Sequence, residues 1–219
     1  GIRDSLVTGV QTCALPIWVR RDMQMFSLAI SATLGCFFLS MWLMRRKETV
    51  YGWFAVYALT WWIVAYNQIA ASPWPFTSTD GWEVANSIVY LVYCGSYTVF
   101  ILRFCGQRWP RYERALWGAV MLASAALILA PHQRVQALRA LVCTALTLHY
   151  FATSFAFIFF AWRSGRSEHR ILGACVAVFV IAGTHDLLTF LTILDDNMYY
   201  TALTSQLQMI GMALVLGRH

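Results

Sequence analysis

Residues Met25–Met44 read MFSLAISATLGCFFLSMWLM, twenty residues without a charge, and the next three are Arg45-Arg46-Lys47. As a helix rising ~1.5 Å per residue, a run of that length covers the ~30 Å hydrocarbon core of a bilayer. Backbone amides have no water to bond to in lipid, so the run must be helical. Six more apolar stretches follow at Gly52–Ala71, Val84–Leu102, Leu116–Ala130, Ala140–Ala161, Leu172–Leu191 and Thr201–Gly217, the fourth being short. The expected fold class is all-α, a polytopic membrane protein built as a seven-transmembrane helix bundle.

The gaps between spans differ in charge. Alternate gaps hold Arg45, Arg46, Lys47, then Arg103, Arg108, Arg111, Arg114, then Arg163, Arg166, Arg170, and finally Arg218. The intervening gaps hold Arg20, Arg21, Arg134 and Arg139, so the asymmetry is eleven to four. The positive-inside rule reads the rich side as cytoplasmic, which sets the amino end outside and the carboxyl end inside. Asp80, Glu83, Asp195 and Asp196 lie on the poorer side. Trp74, Trp82, Trp109, Trp117, Trp162, Tyr199 and Tyr200 sit at span ends, where amphipathic rings favour the interface. The expected location is a membrane, with the basic gaps on its cytoplasmic face.

A hydrophobic fraction of 59% suits a membrane domain. The net charge of +6 is divided among short loops. Without a continuous basic stripe, it points to anionic lipid and away from nucleic acid. Val7–Ile17 reads VTGVQTCALPI, which resembles the in-frame translation of a common sequencing adapter. Residues 1–17 are therefore expected to be non-native, leaving residues 18–219 as one seven-helix transmembrane domain, a fragment of a longer protein. Cys36, Cys94, Cys143 and Cys175 lie in spans and Cys105 at a border, without CxxC or zinc spacing, so they read as small apolar fillers.

Ionisable groups inside a membrane are costly and each is a candidate site. His185-Asp186 lies ~21 Å along span six from its basic side, with Thr189 and Thr192 on the histidine's face. Span three carries a stripe of Glu83, Asn86, Tyr90, Tyr93 and Tyr97. Span seven carries Thr201, Thr204, Ser205 and Gln208, beside Gln206, and span two ends in Asn67-Gln68. Their depths agree, which predicts one polar cavity open to the outside, where Asn67, Glu83, Thr204 or Gln208 partner the His185-Asp186 pair. For the hydroxyl groups, interhelical hydrogen bonding is the simpler reading. For His185-Asp186, packing and sensing both stand. His149, beside Ala145, Ala152 and Thr153, reads as a hydrogen-bonded packing histidine.

Several chemistries fit poorly. A retinal Schiff base needs a lysine within the bundle, and the one lysine, Lys47, lies in a loop. GxSxG and HExxH are absent, as is a phosphate-cradling glycine loop. No catalytic residue, metal or cofactor is expected. A small-molecule or ion transporter stays open, although Pro73, Pro75, Pro110 and Pro131 all fall between spans and no internal repeat is visible.

Several segments carry a family resemblance. They are Arg45-Arg46-Lys47 with Tyr51-Gly52-Trp53-Phe54-Ala55, then Ser72-Pro73-Trp74-Pro75-Phe76, then Gly183-Thr184-His185-Asp186-Leu187-Leu188, and finally Tyr200-Thr201-Ala202-Leu203-Thr204-Ser205. From Met23 to His219 the chain resembles the seven-transmembrane module of bacterial receptors for diverse intracellular signalling. The resemblance implies a sensor lying between an outer ligand-binding domain and a cytoplasmic output, a histidine kinase or diguanylate cyclase. It looks most like the sensor histidine kinases of two-component systems, in which the seventh helix continues into a coiled coil. It also implies a periplasmic or intramembrane ligand, and a homodimer through the full-length receptor. It carries over no catalytic residue.

Overall fold

Seven helices form among the described residues: α1 (Ile2–Met44), α2 (Thr49–Asn67), α3 (Thr79–Phe104), α4 (Pro110–Leu129), α5 (His132–Arg163), α6 (Ser167–Phe190) and α7 (Thr201–Leu216). The computed structural model describes residues 2–67, 70, 75–76, 78–190 and 200–217. Side chains are described from Asp22 onward, apart from Met23, His132, Leu187, Phe190, Ala202 and Leu203. Gln68, the segment Ser72-Pro73-Trp74, Thr192, Asp195, Asp196, Tyr199, Arg218 and His219 lie outside the described residues.

Local chemistry sets the helix ends. Ser78 caps α3 by accepting a hydrogen bond from Gly81 N at 3.1 Å. At its other end the Gln107 amide donates to Leu102 O at 2.8 Å and the Gly106 amide to Arg103 O at 3.0 Å. This paired closure needs a left-handed residue, which Gly106 supplies at φ 71°. Gly165, at φ 68°, follows α5 in the same way. Pro110 occupies the first position of α4, where the missing N–H costs nothing.

Several helices extend beyond the expected spans: α1 begins at Ile2 instead of Met25, α3 at Thr79 instead of Val84 and α6 at Ser167 instead of Leu172. The fourth begins at Pro110 instead of Leu116, and the fifth at His132 instead of Ala140. In α4 and α5 a polar opening (Arg111, Glu113 and Arg114, or Gln133, Arg134, Gln136 and Arg139) continues the helix where an apolar pattern cannot register it. Among the described residues five helices are long and apolar enough to cross a membrane, in the segments Gln24–Met44, Thr79–Phe104, Pro110–Leu129, Gln133–Arg163 and Ser167–Asp186. In α2 the amphipathic rings of Tyr51, Trp53, Tyr57, Trp61, Trp62 and Tyr66 are interspersed among the aliphatic residues, and α7 is short.

The helices pack in the order α1-α2-α3-α5-α6-α7, and α7 closes on α1. α4 lies outside this ring in the seam between α3 and α5. There Leu116, Val120 and Leu127 are its buried residues. Short connections make neighbours antiparallel, so residues 45–48, 105–109 and 164–166 gather at one end, called here the basic end. The interior is an aromatic column. Tyr57 stacks on Tyr93 with centroids 4.9 Å apart, and Tyr97 on Tyr150 at 4.1 Å. The outer surface is also apolar: Leu122, Leu148, Ile181 and Leu214 are 73%, 60%, 70% and 67% exposed. Such a belt wants hydrocarbon around it.

Candidate functional site

At the end opposite the basic one, α6 brings Asp186 against the start of α7. Tyr200 is the N-cap of α7, and the amides of the first turn have no partner within their own helix. The Asp186 carboxylate supplies one from outside. Its Oδ1 accepts from Tyr200 N at 2.8 Å, and its Oδ2 from Thr201 N at 2.7 Å and from Thr201 Oγ1. Negative charge at a helix N-terminus is favoured by the helix dipole. His185 Nδ1 lies 3.3 Å from Oδ1, and its imidazole meets the Tyr200 ring edge-on at 4.9 Å. Asp186 is 8% exposed, so little water competes for these bonds.

This arrangement corrects the partners inferred from helical spacing. Asp186 takes the α7 N-terminus and His185 in place of Asn67, Glu83, Thr204 and Gln208. The expected shared cavity resolves into separate contacts, because Asn67 and Glu83 each meet a donor on an adjacent helix. Asn67 Oδ1 accepts from Trp82 Nε1, joining α2 to α3. Glu83 accepts from Arg139 and, at 3.1 Å, from Gln136 Nε2, joining α3 to α5. The crevice lined by Asp80, Glu83, Val135, Gln136 and Arg139 is closed to water-sized groups. Thr204 Oγ1 turns back to Tyr200 O at 3.1 Å. Asn86 Oδ1 is buried with no hydrogen-bond partner among the described residues.

Deeper in the bundle the aromatic column gains polar links. Tyr90 and Thr147 hydroxyls lie 2.7 Å apart, Tyr57 and Tyr93 hydroxyls 3.3 Å, and Tyr97 and Ser154 hydroxyls 3.0 Å. Gln208 Nε2 donates to Tyr150 Oη at 3.2 Å. The side chain is fully buried, and Gln208 Oε1 has no partner among the described residues, nor has Trp61 Nε1. The sequence does not single out Tyr57 and Tyr150 as members of this network. An aromatic at helical spacing reads as packing until its hydroxyl partner on another helix is known.

His149 is hydrogen-bonded, with partners from farther away than Ala145, Ala152 and Thr153. Its Nε2 lies 3.2 Å from both Thr98 Oγ1 and Tyr112 Oη, so it ties α5 to α3 and α4. Tyr112 belongs to the first turn of α4. At that end Arg103 Nη2 pairs with Glu113 Oε2 at 2.6 Å. Cys105 lies just past α3, and burial pushes its thiol up to about 11, well away from a reactive thiolate. The described cysteines are free, and no group of three His, Cys, Asp or Glu side chains among the described residues could hold a metal.

A family model described as 7TM diverse intracellular signalling matches residues 20–218. The chain belongs to that family. No curated protein and no solved structure matches it. Membership makes this a membrane protein of the sensory and signalling type, and it explains the exposed apolar belt as a lipid-facing surface. Within the 7TM signalling bundle, the Asp186 contact is a place where a carboxylate on one helix takes the backbone amides that begin the next.

Proposed function

We propose that this chain is the membrane part of a bacterial receptor, most closely a sensor histidine kinase, which carries a signal across the inner membrane. The basic end faces the cytoplasm and the Asp186 end faces the periplasm, as the eleven-to-four charge asymmetry favours. The observation that carries the reading is the Asp186 carboxylate on the first amides of α7. α7 starts at that contact and runs to the basic end, so a change in its grip is felt where an output domain would be joined. A ligand or outer domain that favours a released α7 start must supply the difference in energy between held and released states. Moving a two-state balance from 1:99 to 99:1 takes about 5.5 kcal/mol, and a capping carboxylate worth about 2–3 kcal/mol supplies roughly half of it.

The test is the full-length receptor carrying Asp186→Asn, with signal-dependent output and membrane insertion both measured. Altered output at normal insertion is expected. Unchanged output would remove the contact from signalling. A phosphatase that is active only in the periplasm, fused after Leu216, should stay inactive, and strong activity there would reverse the orientation.

A further inference from the structure

Near the basic end, on the lipid-facing surface between α5 and α6, lies a groove of about 380 Å³. Its walls are Ile158, Ala161 and Trp162 on α5, and Gly173, Ala174 and Ala177 on α6, with Arg170 at its mouth. The floor exists because side chains are missing from it. Gly173 stands so close to α5 that a Cβ there would lie 2.9 Å from the Ala161 methyl, so the helices touch and the small residues beside that contact leave a trough. From Arg170 to Ala177 the trough descends ~10 Å along α6, less than one leaflet of a ~30 Å core.

We propose that this groove holds one acyl chain of an anionic phospholipid, with its headgroup phosphate on Arg170. An apolar trough at hydrocarbon depth offers water no partners, so a chain is the fitting occupant. The mouth is built for a negative headgroup. Arg163, Arg166 and Arg170 surround the connection between the two helices, against the single carboxylate of Glu168. Arg163 lies over the Phe159 ring, 4.4 Å from its centroid. Trp162 is 83% exposed beside the groove and offers an indole at headgroup level. That the lipid is a membrane component rests on family membership. That it comes from the cytoplasmic leaflet rests on the proposed orientation.

The consequence concerns coupling. The same stretch of α6 packs against α7, where Gly211 meets Cys175. A lipid seated between α5 and α6 therefore bears on the helix pair that ends in the Asp186 contact.

The test uses the full chain, extracted in detergent and supplied with phosphatidylglycerol or phosphatidylcholine, with retained lipid counted by native mass spectrometry. The wild type should retain phosphatidylglycerol in preference. Arg170→Gln, an exposed substitution, should lower that preference about fivefold, the worth of one basic residue at an anionic surface. Ala174→Phe should fill the trough and abolish retention of either lipid, with helicity by circular dichroism unchanged. Equal retention of phosphatidylglycerol by all three proteins would overturn the proposal. So would a wild-type dimer that Ala174→Phe converts to monomer, since a second copy would then occupy the groove. The measurement does not depend on which face is cytoplasmic, so its failure leaves the receptor reading standing, and a reversed reporter fusion changes only the leaflet.

Discussion

Replacing Asp186 by Ala removes a carboxylate that accepts from Tyr200 N, Thr201 N and Thr201 Oγ1, and leaves the first turn of α7 uncapped. Loss of an N-cap costs about 0.5–2 kcal/mol, and loss of a favourable charge at a helix N-terminus about 0.3–1 kcal/mol more, up to ~2 where partly buried. An ordinary interhelical hydrogen bond in a membrane bundle is worth about 0.6 kcal/mol. The site is 8% exposed, so water restores little, and about 2–3 kcal/mol is expected for Asp186→Ala. The magnitude separates two roles: a value near 0.6 kcal/mol would make Asp186 simple interhelical glue. Asp186→Asn keeps the shape and one acceptor but loses the charge, and should cost about half as much. The assay is reversible unfolding of the purified chain in mixed micelles, run as a double-mutant cycle with Thr201→Val. A coupling of about 1 kcal/mol is expected, because the hydroxyl and the carboxylate share a bond. Strict additivity, or an Asp186→Ala cost within ~0.5 kcal/mol of zero, would refute the cap.

Three further outcomes are expected. Gly211→Val should cost about 1–3 kcal/mol in the same assay, since a Cβ at Gly211 would lie 2.5 Å from Cys175 Sγ, and adding Cys175→Ala should recover part of the loss. Tyr150→Phe should cost about 1 kcal/mol by stranding Gln208 Nε2, whereas Gln208→Leu, which also removes the unpartnered Oε1, should come out near neutral. Deleting residues 1–17 should leave membrane insertion and thermal stability at wild-type values, and a clear loss of either would make them part of the domain.

The seven apolar runs, the alternating charge of the gaps and the residues able to matter at depth could all be read along the chain. Hydropathy, span length and loop charge are local quantities that need no partner to be evaluated. Depth is local as well: His185-Asp186 and Thr201 could be set at the same level by counting residues along their helices. Direction around the helix axis is different. A period of 3.6 groups Glu83 with Asn86 and Tyr90 on one face, but it cannot say which helix that face meets. Tertiary packing decided that Glu83 takes Arg139, that His149 reaches Thr98 and Tyr112, and that Asp186 closes on the amides of Tyr200 and Thr201. It also moved α4 out of the ring, so that α3 meets α5 directly. Each of these pairings depends on which helices are neighbours, and that follows from how seven apolar faces pack together, a property no single span carries.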